Sequence, residues 1–139
     1  MAHFTLVSVP YSHETTPKTF VAILDGSQAQ TIESFYDLIA QILNFPDYFG
    51  KNLDALDEMI NDLGWIEQKT VVVVFRNYGD LLADENEEMK EMMLTVLETA
   101  AEEWKEFGDG DKKLKFVIED TEAAAEDLDA IGVAYRFDK

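Results

Sequence analysis

An uninterrupted run of β-branched and aromatic residues at positions 70–75, TVVVVF, constrains the fold of this chain more than any other feature. A strand with one side facing solvent alternates apolar and polar residues, whereas this run is apolar at successive positions. Such continuity is typical of a strand covered on both faces in a parallel sheet. Parallel neighbours need crossover connections, which are usually helices. The run therefore predicts an α/β fold.

Two shorter runs, FVAIL at residues 20–24 and KFVIE at residues 115–119, predict the neighbouring strands. Helix signals lie between the runs, so the order is strand, helix, helix, strand, helix, strand. This order predicts a small three-stranded parallel sheet packed with helices. At 139 residues, we expect one domain over residues 1–139 with a core at about residues 20–119.

The remaining segments are interpreted as additions to that core. Residues 1–19 form an N-terminal addition, with a short strand predicted at residues 4–9. Residues 120–139 form a C-terminal addition. Within the C-terminal addition we predict a short acidic helix at 122–131 and an edge strand at 133–137.

Capping residues mark where the three core helices begin. Thr31 can cap the first helix, and Pro46 prevents that helix from continuing. Asn52 can cap the second helix through its side-chain oxygen. Asp84 and Glu87 have the spacing of a capping box at the start of the third helix.

The second helix carries acidic residues on its polar faces. They are Asp54, Asp57, Glu58 and Asp62. Their pairs at three- and four-residue spacing are all like-charged, and each costs about a few tenths of a kcal/mol. Clustering of mutually repelling carboxylates on one surface indicates a cationic partner that relieves the repulsion. Ordinary solvated acids on an acidic protein are the alternative interpretation.

The other face of that helix is apolar. It consists of Leu53, Leu56, Ile60 and Leu63. Gly64 is well placed to end the helix in a left-handed conformation. Before the helix, Tyr48 and Phe49 precede Gly50, which permits a tight bend. Aromatic rings beside acids have the composition of a binding patch, and we expect one of the two rings to lie in the core.

The overall charge limits the possible partners. The chain has 29 acidic and 11 basic residues, a formal net charge of −18. This charge argues against direct binding to nucleic acid or to anionic membranes, so the partner should be basic. Self-repulsion favours a monomer when the protein is free. No stretch has the pattern of a signal peptide or a membrane span, so we expect a cytoplasmic protein.

Residues for catalysis are scarce. The chain has no cysteine, and its two histidines, His3 and His13, are far in sequence from the acidic helix. No nucleotide-binding or metal-binding motif is present, so we predict no enzyme activity, no cofactor and no metal. Paired carboxylates such as Asp54 and Glu58 leave a metal-dependent hydrolase as a minor alternative.

Residues 46–50 (PDYFG), residues 52–56 (NLDAL) and the Gly64–Trp65 pair resemble the barstar family of intracellular ribonuclease inhibitors. The likeness extends more loosely from about residue 20 to residue 119. It implies a three-stranded parallel sheet flanked by helices. It also implies an antitoxin or immunity protein that blocks a basic, extracellular-type ribonuclease or toxin nuclease domain. Acidic side chains would then occupy the positions of RNA phosphates.

The resemblance transfers contact roles to individual residues of this chain. The matching positions are Tyr48, Asn52, Leu53, Asp54, Glu58, Gly64 and Trp65. Glu58 matches the family's central aspartate and is longer by one methylene. Asp57 stands in place of a tryptophan, and two further residues precede Gly64, so we expect Asp57 to influence the choice of partner. Glu98 and Glu102 are candidates for a further contact acid. An adaptor that binds a basic protein other than a nuclease is the main alternative.

Overall fold

The fold is described from a computed structural model, which describes residues 3–8, 14–63, 65–107, 113–119 and 121–138. Within these residues the strands are β1 (Phe4–Val7), β2 (Thr19–Asp25), β3 (Thr70–Arg76), β4 (Lys113–Glu119) and β5 (Tyr135–Asp138). The helices are α1 (Ile32–Ile42), α2 (Leu53–Asp62), α3 (Glu87–Phe107) and α4 (Thr121–Ala130). The α/β class is therefore confirmed. Over the described ranges, no helix is both long enough and apolar enough to cross a membrane.

The strands form one parallel sheet in the order β2-β3-β4-β1-β5. The three predicted core strands are neighbours in this sheet, and the strands predicted in the N- and C-terminal additions extend it to five. β1 pairs with β4 so that Phe4 lies opposite Phe116, and β5 pairs with the other edge of β1. Phe4 and Leu6 are fully buried, so the N-terminal strand belongs to the interior of the sheet. The predicted edge strand exists as β5.

The central strand β3 has the environment that its sequence predicts. Its residues from Val71 to Phe75 are all buried. Val71, Val73 and Phe75 belong to the main core together with residues of the helices. Val72 and Val74 form a smaller apolar cluster on the opposite face of the sheet. Burial on both faces explains the absence of alternation in this strand.

Two of the three predicted helix starts are confirmed. Thr31 and Ser34 form a capping box at α1, and Asn52 caps α2. The predicted cap at Asp84 is wrong, because the Asn86 side chain accepts a hydrogen bond from the Met89 N–H at 2.9 Å. Asp84 instead donates its backbone N–H to the Gln30 carbonyl, so tertiary contact holds it in the preceding turn.

Candidate partner-binding surface

One face of α2 presents a row of carboxylates to solvent. Asp54, Glu58 and Asp62 are exposed and follow one another at four-residue spacing, and we name these three residues the acidic ridge. The opposite face of the helix is held in the core by Leu56, Met59, Ile60 and Leu63. Leu53 is half-buried between the two faces. Burial of the apolar face thus fixes the rotation of α2 about its own axis, so the acidic ridge on the opposite face points to solvent.

Local hydrogen bonds define the two ends of α2. The Asn52 Oδ1 atom accepts a hydrogen bond from the Ala55 N–H at 2.7 Å, and Asp54 lies in the first turn, where the helix dipole favours an acid. At the other end Leu63 is left-handed, with φ 45° and ψ 25°. The prediction assigned that conformation to Gly64, which lies outside the described residues. Full burial of the Leu63 side chain compensates for the strain of a left-handed leucine.

Asp57 is separated from the acidic ridge by its burial and its hydrogen bonds. It is half-buried, and its Oδ1 atom accepts a hydrogen bond from Asn61 Nδ2 at 2.9 Å. The Asn61 carbonyl in turn accepts a hydrogen bond from the Trp104 indole N–H of α3 at 3.1 Å. Asp57 therefore lies on the flank of α2 that approaches α3, beside the ridge but less accessible.

The turn before α2 exposes one aromatic ring and buries the next. Tyr48 is 69% exposed, whereas Phe49 is 9% exposed, as expected for a pair of which one ring belongs to the core. Phe49 makes edge contacts with Tyr36 and Phe45, with ring centroids 5.9 and 4.9 Å away. The Phe49 N–H also closes the turn on the Pro46 carbonyl at 3.1 Å. The buried Phe49 ring thereby anchors the turn to the core, while the Tyr48 side chain is exposed to solvent.

The bend between the turn and α2 is made differently from the prediction. Gly50 is not left-handed, whereas Lys51 is, with φ 52°. The Lys51 ammonium lies 2.8 Å from the Asp37 carboxylate of α1, and the hydrogen bond to Asp37 raises the pKa of Lys51. The Asp37 carboxylate thus balances the positive charge of Lys51, the residue before Asn52. The sequence carried no signal for this pairing, because Asp37 lies on a different helix.

Trp65 serves partly as an internal anchor. Its indole N–H donates to the Leu43 carbonyl at 2.8 Å, and its ring makes an edge contact with Phe45 at 6.1 Å between centroids. Because the indole N–H is used internally, only the half-exposed ring is available to a partner. Trp65 therefore joins the chain after α2 to the turn before it.

Two further acids predicted as contact candidates are directed at a histidine. Glu102 Oε2 lies 2.7 Å from His3 Nε2, and Glu98 Oε1 lies 3.8 Å from the same nitrogen. Burial raises the pKa of the Glu98 carboxyl, because the charged form loses hydration there. Folding thus brings His3 to α3, and His13 lies outside the described residues.

Comparisons with known proteins agree with this architecture. The model of the family described as "Barstar (barnase inhibitor)" matches residues 19–121, which span β2 to β4 with the helices between them. A protein of Bacillus subtilis (strain 168) is named "Putative ribonuclease inhibitor YrdF" and is 32% identical over 89 residues. The match covers 55% of this chain and 96% of that protein. β1 and β5 lie outside the stretch that the family model matches.

Proposed function

This chain belongs to the barstar family, and on that premise we propose that α2 and the turn before it block the active site of a basic ribonuclease. The observation that carries the proposal is the acidic ridge, exposed on a helix whose other face is locked in the core, with the exposed Tyr48 in the turn before it. A ribonuclease must hold phosphates with cationic groups. Carboxylates on a rigid helix can pair with the same groups and exclude RNA by volume and by charge.

Asp54 and Glu58 are the proposed charged contacts. Both are exposed, and the core contacts of α2 keep their backbone fixed, so little ordering is needed on binding. Charge-assisted hydrogen bonds to arginine, lysine or protonated histidine would relieve the repulsion along the ridge. The net charge of −18 would accelerate encounter with a basic enzyme, and added salt would slow it.

The other site residues surround these two acids. Tyr48 supplies an exposed aromatic anchor, and Asn52 holds the first turn of α2 in place. Leu53 and Trp65 offer half-buried apolar surface at the rim. We retain Gly64 as a proposed contact on the family resemblance alone.

Asp57 is the proposed specificity position. Its hydrogen bond to Asn61 fixes the carboxylate on the α3 side of the ridge, where it would meet the edge of a bound enzyme. A basic side chain there would gain a charge partner, whereas an acidic or apolar one would be disfavoured. We propose that this difference selects the target among ribonucleases.

We further propose that the protein is an antitoxin or immunity protein of the bacterial cytoplasm, monomeric when free. Its target would be an extracellular-type ribonuclease or the nuclease domain of a toxin. The chain would bind no nucleic acid itself, because its surface repels phosphates.

The test is a titration of the cognate ribonuclease with the purified chain, followed by RNA cleavage. Stoichiometric 1:1 inhibition that weakens with salt is expected. The cognate enzyme is found by affinity capture on the wild-type chain, with an Asp54→Ala, Glu58→Ala double variant as the matched control. Ridge-dependent capture of a basic protein without ribonuclease activity would favour an adaptor and overturn the inhibitor assignment.

A further inference from the structure

A second cluster of polar side chains, which includes no residue of the acidic ridge, lies where the N-terminal strand meets α3. His3 precedes β1, and its side chain is only 8% exposed. Its carbonyl accepts a hydrogen bond from the Phe116 N–H of β4 at 2.9 Å, so the sheet ladder fixes its backbone. Glu98 and Glu102 lie one turn apart on α3 and direct their carboxylates at the imidazole.

The three side chains have the donor set and the spacing of a metal site. One donor atom from each residue lies within 4.8 Å of the other two. His3 Nε2 is 2.7 Å from Glu102 Oε2 and 3.8 Å from Glu98 Oε1. Four-coordinate zinc holds its nitrogen and oxygen ligands at about 2.0–2.2 Å, which places neighbouring donor atoms about 3.3–3.6 Å apart. The observed distances lie on either side of that range.

Charge and access also suit a divalent cation. Two carboxylates balance its charge, and an imidazole ligand favours Zn²⁺ over Mg²⁺ or Ca²⁺, which prefer oxygen. A surface groove of about 390 Å³ borders both glutamates and is also lined by Thr99 and Val133. Water can therefore reach a fourth coordination position from the groove.

We propose that His3, Glu98 and Glu102 bind one Zn²⁺ ion. The ion would join the residue before β1 to α3 and so clamp the N-terminal strand in the sheet. This strand lies outside residues 19–121, which the family model matches, so the clamp would belong to the additional strand of this chain. No residue of the acidic ridge takes part, so the inference is independent of inhibition by that ridge. It assigns Glu98 and Glu102, the two candidates for a further contact acid, to a metal ion instead.

A hydrogen bond from the His3 Nε2–H group to Glu102 is the competing explanation for the same contacts. It uses a proton where the proposal places a metal ion, and it needs only one of the two glutamates. Zn²⁺ binding that requires both glutamates separates the two explanations.

The experiment uses calorimetric titration of the untagged chain with Zn²⁺ and, separately, with Mg²⁺. A polyhistidine tag is avoided because it would itself bind zinc. We expect one equivalent of Zn²⁺, a higher melting temperature with Zn²⁺, and no effect of Mg²⁺. Glu98→Gln and Glu102→Gln should each weaken Zn²⁺ binding at least about tenfold and abolish the rise in melting temperature. Glu91→Gln, which removes one charge elsewhere on α3, is the matched control and should bind like the wild type.

His3→Ala should also abolish Zn²⁺ binding, and Co²⁺ in the wild-type site should show the visible absorption of a four-coordinate ion. If His3→Ala does not fold, Glu102→Gln provides the test, because the Glu102 side chain is 42% exposed and glutamine has nearly the same size. Absent Zn²⁺ binding, or equal affinity in Glu102→Gln and Glu91→Gln, would overturn the proposal.

Discussion

Replacing Glu58 by glutamine should stabilise the free protein while weakening it as an inhibitor. Glu58 is the middle member of the acidic ridge, one turn from Asp54 and one turn from Asp62, and all three are exposed. Like charges at this spacing cost about 0.2–0.5 kcal/mol per pair. Removing the central charge relieves two such pairs, so the free energy of unfolding should rise by about 0.4–1 kcal/mol.

The same substitution removes a proposed charge partner of the enzyme. Truncating one member of a buried, hydrogen-bonded charge pair costs about 2–5 kcal/mol. Each 1.4 kcal/mol is about tenfold in affinity, so Glu58→Gln should weaken inhibition by at least about tenfold. Stability and affinity should therefore change in opposite directions.

Urea unfolding measures the first quantity and titration of ribonuclease activity the second. Glu126→Gln on α4 is the matched control, because Glu126 is exposed and also lies four residues from another exposed acid, Glu122. It removes the same charge and should likewise raise stability, but it should leave inhibition unchanged. If Glu58→Gln inhibits as strongly as Glu126→Gln, the assignment of the ridge to the enzyme contact is wrong. If Glu58→Gln lowers stability, the repulsion argument is wrong.

Further predictions concern the turn before α2, the α2 cap and the end of β2. Tyr48→Ala should weaken inhibition, measured by enzyme titration, and should change the free energy of unfolding by less than about 0.5 kcal/mol. Phe49→Ala should lower the free energy of unfolding, measured in urea, by about 3–5 kcal/mol. Asn52→Ala should lower stability by about 0.5–2 kcal/mol through loss of the α2 cap, with Asn52→Asp retaining most of it. Hydrogen bonds from Asn77, and then from Ser27, lower the pKa of Asp25 below its ordinary value of 3.8. The ionised Asp25 carboxylate therefore contributes its full stabilisation of the fold above pH 3.8, and that contribution is lost as the pH falls through the lower pKa of the folded state. The difference in unfolding free energy between the wild type and Asp25→Asn should accordingly shrink in acid. An advantage that does not change with pH would contradict this.

Features that depend on neighbouring residues could be predicted from the sequence. Thr31 and Asn52 cap their helices as predicted, because a capping oxygen meets an N–H only three residues away. Tyr48 and Phe49 show where local reasoning ends. Both are aromatic and adjacent, and only the positions of Tyr36 and Phe45 decide which ring is buried.

Features that depend on the path of the chain could not be predicted. A four-residue strand such as β1 carries no local signal for its neighbour, and its place beside β4 depends on pairing between Phe4 and Phe116. The contact between His3 and Glu102 likewise joins residues far apart in sequence. Sequence by itself determined the α/β class, the family resemblance and the acidic helix, because these reside in contiguous patterns. The tertiary structure decided the five-stranded sheet and the partners of the charged side chains, because only folding brings distant segments together.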